Sequence, residues 1–508
     1  MRSWQLALQL SSEDSEPLFR RISTAIVADI SRGRLRSGER LPSSRALATQ
    51  LGVNRNTVIA AYTELRRQGF ISSEPARGTF VTPRESGPLP AFSESAGFDI
   101  AASLETPLPV ARPAGTLLLL GGVPELRLLP HAELARAYRS ALRGVSAQRL
   151  LDYSDPRGDE RLRLALVDLL ACTRGVAVPA DAICVVRGGQ DGIYLASRAL
   201  LGPGDVVAVE QLGYRPAWEA LRLAGATLVP IPVDAEGLDV DALERCVATR
   251  PVRAVYVTPH HQYPTTVTLS PARRARLLAL AQRTRMIVFE DDYDFDFHYE
   301  GKPRLPLASA DPAGVVVYFG TMSKLLAPGL RLGYVVAPSQ VIRRIAEYRF
   351  RVDRQGDHVV ERAVAMLIED GELQAHTRRA HRAYRDRRDR MCETLRREIP
   401  SLAFTVPCGG MSLWAHAPGI DVDAWVERGL AAGVAFQAGR RFTLDARPTD
   451  HVRIGYAAVD RAELREAVRR LVVALDGLRA RPAAARIGRA DAVSFASSGG
   501  YSAMPRAR

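Results

Sequence analysis

The sequence predicts two folded parts of different class: a small, mostly helical unit with a β-hairpin, and a large α/β unit that ends in a small α+β subdomain. Near the N-terminus, apolar residues recur at helical spacing among many arginines. A stretch rich in proline and serine follows. Beyond it, strand-like apolar runs alternate with amphipathic helical stretches, which indicates a largely parallel sheet covered on both faces. We assign residues 1–82 to the small unit, 83–115 to a linker, 116–478 to the large unit with its subdomain from about 390, and 479–508 to a disordered tail.

Composition narrows the class of protein. The 508 residues are 47% hydrophobic and 25% charged, as in ordinary folded proteins. We find no apolar run long enough to cross a bilayer and no signal peptide, so no membrane partner is expected. The five cysteines are scattered without a CxxC pair, so neither a disulfide framework nor a metal site is predicted. These features favour the cytoplasm. The net charge of +13 is a weak indication of a polyanionic partner.

Lysine is scarce in this chain. Of the 69 basic residues only Lys302 and Lys324 are lysines. Arginine supplies charge, but it cannot supply a primary amine that deprotonates and attacks a carbonyl carbon. Each lysine is therefore a candidate for amine chemistry.

The small unit has the pattern of three helices and a hairpin. The first helix places Leu18, Ile22, Ile26 and Ile30 on one face. Pro42 opens the second helix, and Asn54 is the expected N-cap of the third. Phe70-Ile71 and residues 78–81 are predicted to form the hairpin. Between residues 31 and 81 there are nine arginines and three acidic residues. A three-helix unit that binds no DNA is the alternative interpretation.

The third helix begins with polar residues, where a recognition helix touches base edges and phosphates. The unit resembles the GntR family of winged helix-turn-helix repressors in Arg40-Leu-Pro-Ser-Ser-Arg45, Leu51-Gly-Val-Asn-Arg55 and Arg77-Gly-Thr-Phe-Val81. The resemblance implies binding to double-stranded DNA, with Gly78 at the wing tip near the minor groove. The DNA-contacting residues that we assign on this basis are Arg45, Asn54, Arg55, Asn56 and Thr57.

Six strands are predicted in the large unit, and ligands of open α/β sheets bind where such strands end. The strands are Ile183–Val186, Val206–Val209, Ala254–Thr258, Met286–Phe289, Val315–Phe319 and Leu332–Ala337. Pyridoxal phosphate needs an amine, a carboxylate facing its ring nitrogen, phosphate donors and a planar group against its ring. Lys324, Asp291 and Tyr214 are our candidates for the amine, the carboxylate and the planar group. The candidate phosphate donors are Gly188, Gly189 and Gln190 in a turn before a helix, with Thr321, Ser323 and Arg331.

The order of these features (glycine turn, aromatic residue, acid, lysine, arginine) resembles that of fold-type I aminotransferases. With the N-terminal unit, the chain resembles the MocR (GabR-like) subfamily of GntR regulators along nearly its whole length. The resemblance implies the fold of PLP-dependent transferases and a head-to-tail homodimer, in which Tyr153 reaches the neighbouring protomer's phosphate. It also implies that Tyr293 touches the cofactor's phenolic oxygen and that Arg453 binds the carboxylate of an amine or amino-acid effector.

Some positions depart from the family pattern. Thr266 stands where a glycine is usual, and Leu129 and Leu134 occupy positions that are commonly aromatic. No asparagine precedes Pro264, where aminotransferases place a residue that bonds the phenolic oxygen; His261 or Gln262 is the candidate substitute. These departures leave cofactor binding expected but weaken the case for catalytic turnover.

Three functions follow from these observations. The leading hypothesis is a pyridoxal-phosphate-binding transcriptional regulator that senses an amino compound. The alternatives are an aminotransferase that turns over and carries an accessory DNA-binding domain, and a regulator that responds to free pyridoxal phosphate. The N-terminal unit favours regulation, because an enzyme needs no arginine-lined recognition helix.

Overall fold

The computed structural model describes residues 16–75, 77–83, 98–99, 113–143 and 145–479. The chain divides into two compact units, Met1–Val110 and Ala111–Arg508. Most of the predicted linker, and the predicted tail from residue 480, lie outside the described residues. None of the described helices is long and apolar enough to span a bilayer.

The small unit contains the three predicted helices and the hairpin. They are α1 (Leu18–Ser31), α2 (Ser44–Leu51), α3 (Arg55–Arg67), β1 (Ile71–Glu74) and β2 (Gly78–Val81). The Ser43 side chain caps α2 by accepting a hydrogen bond from the Ala46 amide. The Asn54 side chain caps α3 in the same way, at 2.9 Å from the Asn56 amide. Gly52 ends α2 with φ +65°, a conformation that glycine adopts without strain.

Apolar side chains from all these elements form the core of the small unit. Ile22 and Ile26 of α1, Leu47 of α2, and Val58 and Leu65 of α3 are fully buried. The strands β1 and β2 are antiparallel. The hydroxyl of Tyr62 donates a hydrogen bond of 2.8 Å to the Pro42 carbonyl, which ties α3 to the start of α2. This bond and the shared core fix the position of α3 against α2.

The large unit alternates strands and helices. Its strands are β3 (Leu117–Leu118), β4 (Ile183–Val186), β5 (Val206–Glu210), β6 (Thr227–Ile231), β7 (Val233–Asp234), β8 (Gly237–Leu238), β9 (Val252–Val257), β10 (Ile287–Asp292), β11 (Val316–Thr321), β12 (Gly333–Val336), β13 (Ser412–His416), β14 (Val434–Ala435), β15 (Gln437–Ala438) and β16 (His451–Gly455). Its helices are α4 (His131–Ala141), α5 (Val145–Leu150), α6 (Glu160–Arg174), α7 (Gly189–Leu200), α8 (Arg215–Leu223), α9 (Val240–Thr249), α10 (Pro271–Thr284), α11 (Ser339–Val352), α12 (His358–Glu369), α13 (Glu372–Glu398), α14 (Val422–Ala431) and α15 (Arg461–Arg479).

The central sheet has seven strands in the order β4-β12-β11-β10-β9-β5-β6. Strand β12 is antiparallel to both of its neighbours, and the other neighbouring pairs are parallel. Successive strand residues alternate between two cores: Val185 belongs to one and Val186 to the other. The predicted α/β class with a sheet covered on both faces is confirmed. The edge strand β6 was not predicted.

The C-terminal part contains a second, antiparallel sheet in the order β13-β16-β15. Helix α13 runs across residue 390, where the sequence predicts the subdomain to begin. The start of the large unit also joins this part, because β3 pairs in parallel with β14 and the Gly455 amide donates to the Leu119 carbonyl at 2.7 Å. This pairing brings the glycines that follow Leu120 beside β16.

Candidate functional site

A cavity of about 220 Å³ opens where the central strands end. It is lined by nine residues that the sequence predicts: Lys324, Asp291, Tyr293, Tyr214, Gly189, Gln190, Thr321, Ser323 and Arg331. Gly121, Gly122, Thr258 and Tyr263 also line it and were not predicted. Gly121 and Gly122 could have been found in the sequence as a Gly-Gly pair directly after an apolar run. Tyr263 lies within the segment that departs from the family pattern.

Strand periodicity explains why only one of three successive acids reaches the cavity. Glu290 accepts hydrogen bonds from the backbone amides of Leu307 and Ala308. Asp292 accepts a 2.7 Å bond from the Tyr318 hydroxyl. Asp291, on the opposite face of β10, accepts a 2.5 Å bond from the Tyr256 hydroxyl. Burial raises the pKa of Asp291 to about 6.

Lys324 follows β11 and presents its amine to the cavity. The pKa of Lys324 is lowered to about 8, chiefly by burial and in part by the Arg453 cation, while Asp291 opposes the shift. A Cβ atom on Gly122 would lie 3.3 Å from the Lys324 Nζ, so glycine keeps space free around the amine. Lys302, the other lysine, is exposed.

A cradle for an anion lies at the N-terminus of α7. Gly188, with φ +85°, precedes the helix, and no side chain in the described part of the chain caps its first amides. Arg331 adopts φ +50° and donates through Nη2 to the Arg187 carbonyl at 2.7 Å. A Cβ atom on Gly188 would lie 3.4 Å from the Arg331 guanidinium. Free helix amides beside a guanidinium and the Thr321 and Ser323 hydroxyls suit a phosphate dianion.

Tyrosine rings form one wall of the cavity. Tyr263 contacts Tyr214 edge to face at 5.3 Å between ring centroids and Tyr293 at 5.7 Å. The Tyr293 hydroxyl donates to the His261 carbonyl at 2.9 Å. Burial raises the pKa of Tyr214 and of Tyr293, so both phenols stay protonated. An amine, a carboxylate, an anion cradle and aromatic faces around one cavity fit pyridoxal 5′-phosphate.

Two predicted cofactor residues lie away from this cavity. His261 is buried and directs Nδ1 to the Asp294 carboxylate at 2.8 Å and Nε2 to His298 Nδ1 at 3.3 Å. Gln262, its alternative, donates to the Leu212 carbonyl. Neither side chain lines the cavity, because the chain turns and brings Tyr263 there instead. Tyr153 is 78% exposed, with the Arg354 guanidinium 5.2 Å from its ring centroid.

Arg453, the predicted effector residue, is buried in β16 beside the cavity. Its guanidinium carbon lies 3.9 Å from the centroid of the Tyr263 ring. A Cβ atom on Gly121 would lie 2.5 Å from the same carbon, so glycine makes room for the arginine. Neither Nε nor Nη1 of Arg453 has a hydrogen-bond partner within the described residues. A buried cation with unpaired donors is costly unless an anion meets it.

The predicted DNA-contacting residues lie at the start of α3 and around it. Arg45, Arg55 and Asn56 are exposed, and Thr57 is half-buried. The Arg55 Nε donates to the Ser44 hydroxyl at 3.3 Å, across the turn between α2 and α3. Gly78 begins β2 with φ +121°, and a Cβ atom there would lie 2.7 Å from the Arg40 Nε. Glycine at the wing therefore allows close packing of Arg40.

Comparison with known families matches both units. Residues 18–81 match the bacterial regulatory proteins of the gntR family, and residues 125–471 match the aminotransferase class I and II family. The chain is 30% identical to the probable rhizopine catabolism regulatory protein MocR of Rhizobium meliloti, over 91% of this chain and 95% of that protein. It is 32% identical to the transcriptional regulator TauR of Rhodobacter capsulatus, over 90% of this chain and 96% of that protein.

A solved structure resembles the large unit. The α-aminoadipate aminotransferase LysN of Thermus thermophilus, solved with N-(5′-phosphopyridoxyl)-L-leucine, superimposes with a TM-score of 0.67 at 29% identity. The match covers 72% of this chain and 92% of that one. The chain therefore belongs to the aminotransferase class I and II family and, with its gntR-type domain, to the MocR-type DNA-binding transcriptional regulators, whose cofactor is pyridoxal phosphate.

Proposed function

We propose that the protein is a regulator that senses a primary amine bearing a carboxylate, and that Arg453 binds that carboxylate. The two unpaired nitrogens of its buried guanidinium carry this proposal. A carboxylate is an anion that accepts two parallel hydrogen bonds from arginine. Arg453 also lowers the pKa of Lys324, so the two cations are close enough to interact. A ligand held by Arg453 would thus have its amine beside Lys324.

Each cavity residue has a proposed role in holding the cofactor. When bound, pyridoxal phosphate supplies an aldehyde that condenses with primary amines and a ring that withdraws electrons. Lys324 would hold the aldehyde carbon, Asp291 the ring nitrogen and Tyr214 the ring face. Gly188, Gly189, Gln190, Thr321, Ser323 and Arg331 would hold the phosphate, with Tyr153 of a second protomer. Tyr293 would hold the phenolic oxygen by turning its hydroxyl hydrogen away from the His261 carbonyl. We assign no contact with the cofactor to the His261 side chain, which pairs with Asp294.

Sensing is favoured over sustained catalysis. In aminotransferases a residue before the proline of the 258–266 segment bonds the phenolic oxygen. Here the side chains of His261 and Gln262 have other partners, and Tyr263 occupies that wall of the cavity. We propose that binding of the effector changes the protein's conformation and that product release is slow or absent. Only a ligand that favours one conformation over another can switch a regulator.

The small unit would bring this signal to DNA. We propose contacts from Arg45, Asn54, Arg55, Asn56, Thr57 and Gly78, with residues 1–82 as the DNA-binding unit, 83–115 as the linker and 116–478 as the sensor. We also propose a head-to-tail homodimer acting in the cytoplasm.

The test is Arg453→Ala in the full-length protein loaded with pyridoxal phosphate. The variant should keep its yellow colour and its affinity for DNA. It should lose the absorbance change and the transcriptional response that wild type shows with a carboxylate-bearing amine. Arg440→Ala, which removes an exposed arginine paired with Asp423, is the matched control. An Arg453→Ala protein that responds like wild type contradicts the anchor, and a wild type that responds only to free pyridoxal phosphate supports the alternative regulator.

A further inference from the structure

Three histidines meet behind the tyrosine wall, outside the cofactor cavity. His260 and His261 follow β9, and His298 follows the neighbouring strand β10 by a few residues. One ring nitrogen from each lies within 4.8 Å of the others. None of the three lines the cavity. We name these three residues the histidine cluster.

The geometry of His261 and His298 matches two ligands of one ion. The Asp294 carboxylate lies 2.8 Å from His261 Nδ1 and accepts a hydrogen bond from its N–H, so the Nε2 atom carries the lone pair and faces away from Asp294. The His261 Nε2 atom lies 3.3 Å from His298 Nδ1. In a tetrahedral zinc site with bonds of about 2.0–2.1 Å, neighbouring ligand atoms are about 3.3–3.4 Å apart. A carboxylate behind a ligand histidine is the usual outer support of zinc sites.

His260 supplies the second observation. Its side chain is buried, at 3% exposure, and neither ring nitrogen has a hydrogen-bond partner among the described residues. Its ring packs against Phe295 at 4.8 Å and against His261 at 4.3 Å between centroids. Burying an imidazole with both nitrogens unsatisfied is unfavourable, so a ligand for it is expected.

We propose that the histidine cluster binds one divalent transition-metal ion of the zinc class, with Asp294 orienting His261. Three neutral imidazoles leave a fourth position for water, and His298, which is half-buried, gives access from the surface. Gly409 leaves room, because a side chain there would collide with His261 Nε2.

The ion would stiffen one wall of the sensor cavity. The His261 carbonyl accepts the Tyr293 hydroxyl hydrogen bond, and Asp294 follows Tyr293 in the chain. Thr258 and Tyr263, on either side of the cluster histidines, line the cavity. Fixing the cluster therefore restrains residues of the cavity without contacting a ligand inside it.

Metal content of the untagged, full-length protein loaded with pyridoxal phosphate tests the proposal. After incubation with Zn²⁺ and extensive dialysis, wild type should retain about one ion per chain. His260→Gln and His298→Gln should each lose it, and Asp294→Asn should weaken binding about 10-fold to 100-fold. His416→Gln is the matched control, because His416 is half-buried, packs against His451, and belongs to no group of three possible metal ligands among the described residues. It should retain the ion.

A second experiment uses Co²⁺ in place of Zn²⁺, because the visible absorption spectrum of bound Co²⁺ shows which ligand atoms surround the ion. Wild type with Co²⁺ should show the visible bands of a tetrahedral nitrogen site and no thiolate charge-transfer band, which separates the cluster from the exposed Cys172 and Cys408. Full metal retention by both histidine variants, a thiolate band, or no cobalt bands in wild type overturns the proposal. If a histidine variant does not fold, the wild-type cobalt spectrum decides.

Discussion

The amine of Lys324 and the carboxylate of Asp291 face one cavity, and their pKa values are shifted toward each other. Attack on an aldehyde needs the neutral amine. With a pKa of about 8, about a tenth of Lys324 is neutral at pH 7, against about one in three thousand for an ordinary lysine. The rate at which the free protein captures pyridoxal phosphate should therefore rise about tenfold per pH unit up to about pH 8 and then level off. Stopped-flow absorbance measures it.

Substitutions can show whether the Lys324 amine is responsible for the rate of pyridoxal phosphate capture. Lys324→Ala should abolish capture, and Lys302→Ala should leave the profile unchanged because Lys302 is exposed. Arg453→Ala should move the profile to higher pH, since the Arg453 cation lowers the pKa of Lys324. Borohydride reduction followed by peptide mapping that finds the label on Lys302 would contradict the assignment.

A second prediction concerns the contribution of Asp291 to cofactor affinity. Asp291→Asn should weaken cofactor binding about 10-fold to 100-fold, the equivalent of ~1.5–3 kcal/mol for a charged hydrogen bond. Burial raises the folded-state pKa of Asp291 to about 6, so its ionised form is present above that pH and lost below it. Wild-type affinity should fall as the pH drops through about 6, while the weak affinity of Asp291→Asn should show no such step. Equilibrium dialysis across this range measures both.

Among the elements, α2 and α3 carry the prediction on DNA, because Arg45 lies in α2 and Arg55 begins α3. Arg55→Ala or Arg45→Ala should weaken binding, and an arginine bonded to a base edge should lose ~1–3 kcal/mol of discrimination at its position. Binding should depend steeply on salt, because arginine–phosphate contacts release counterions. Arg67→Ala is the control, since Arg67 is at the far end of α3 and is paired with Glu64 at 2.7 Å. Unchanged mobility shifts with Arg45→Ala and Arg55→Ala would refute the proposed interface.

Local sequence patterns predicted the helices and hairpin of the small unit, six of the seven strands of the central sheet, and more than half of the cavity wall. All six predicted strands are present, because each is an apolar run between turn-forming residues. Asn54 caps α3 as predicted, because its side-chain oxygen accepts a hydrogen bond from the Asn56 amide. Strand β6 was missed because it lies at an edge with an exposed first residue and contains Pro230, which breaks the apolar signal. Local patterns could not predict contacts between segments that are far apart in the sequence. Two examples are the packing of Gly121 against Arg453 and the approach of His298 to His261.

For the molecule as a whole, the prediction concerns the homodimer. Leu151, Tyr153, Phe350 and Val352 are exposed by 71%, 78%, 49% and 57%, and the Arg354 guanidinium contacts both aromatic rings. Large exposed apolar side chains of this kind mark protein interfaces. Sedimentation should give a dimer, and two recognition helices should bind two half-sites.

A mixing experiment tests whether Tyr153 acts across that interface. Tyr153→Ala and Lys324→Ala should each bind pyridoxal phosphate poorly or without a covalent bond. After unfolding and refolding together, a mixed dimer contains one site with an intact lysine from one chain and an intact tyrosine from the other. Such mixtures should recover covalent binding in up to half of the sites of mixed dimers. No recovery would show that Tyr153 does not serve the partner's cavity.

The different exposure of the two lysines has a practical consequence for measuring motion. An amine-reactive dye should attach to Lys302, while bound pyridoxal phosphate protects Lys324. The terminal amine can be avoided, because it reacts selectively at lower pH. Lys302 is then the one lysine of the folded holoprotein that a fluorophore can label. With a second dye on a DNA half-site, energy transfer could follow the distance between the sensor and its operator as an effector is added, without introducing any mutation.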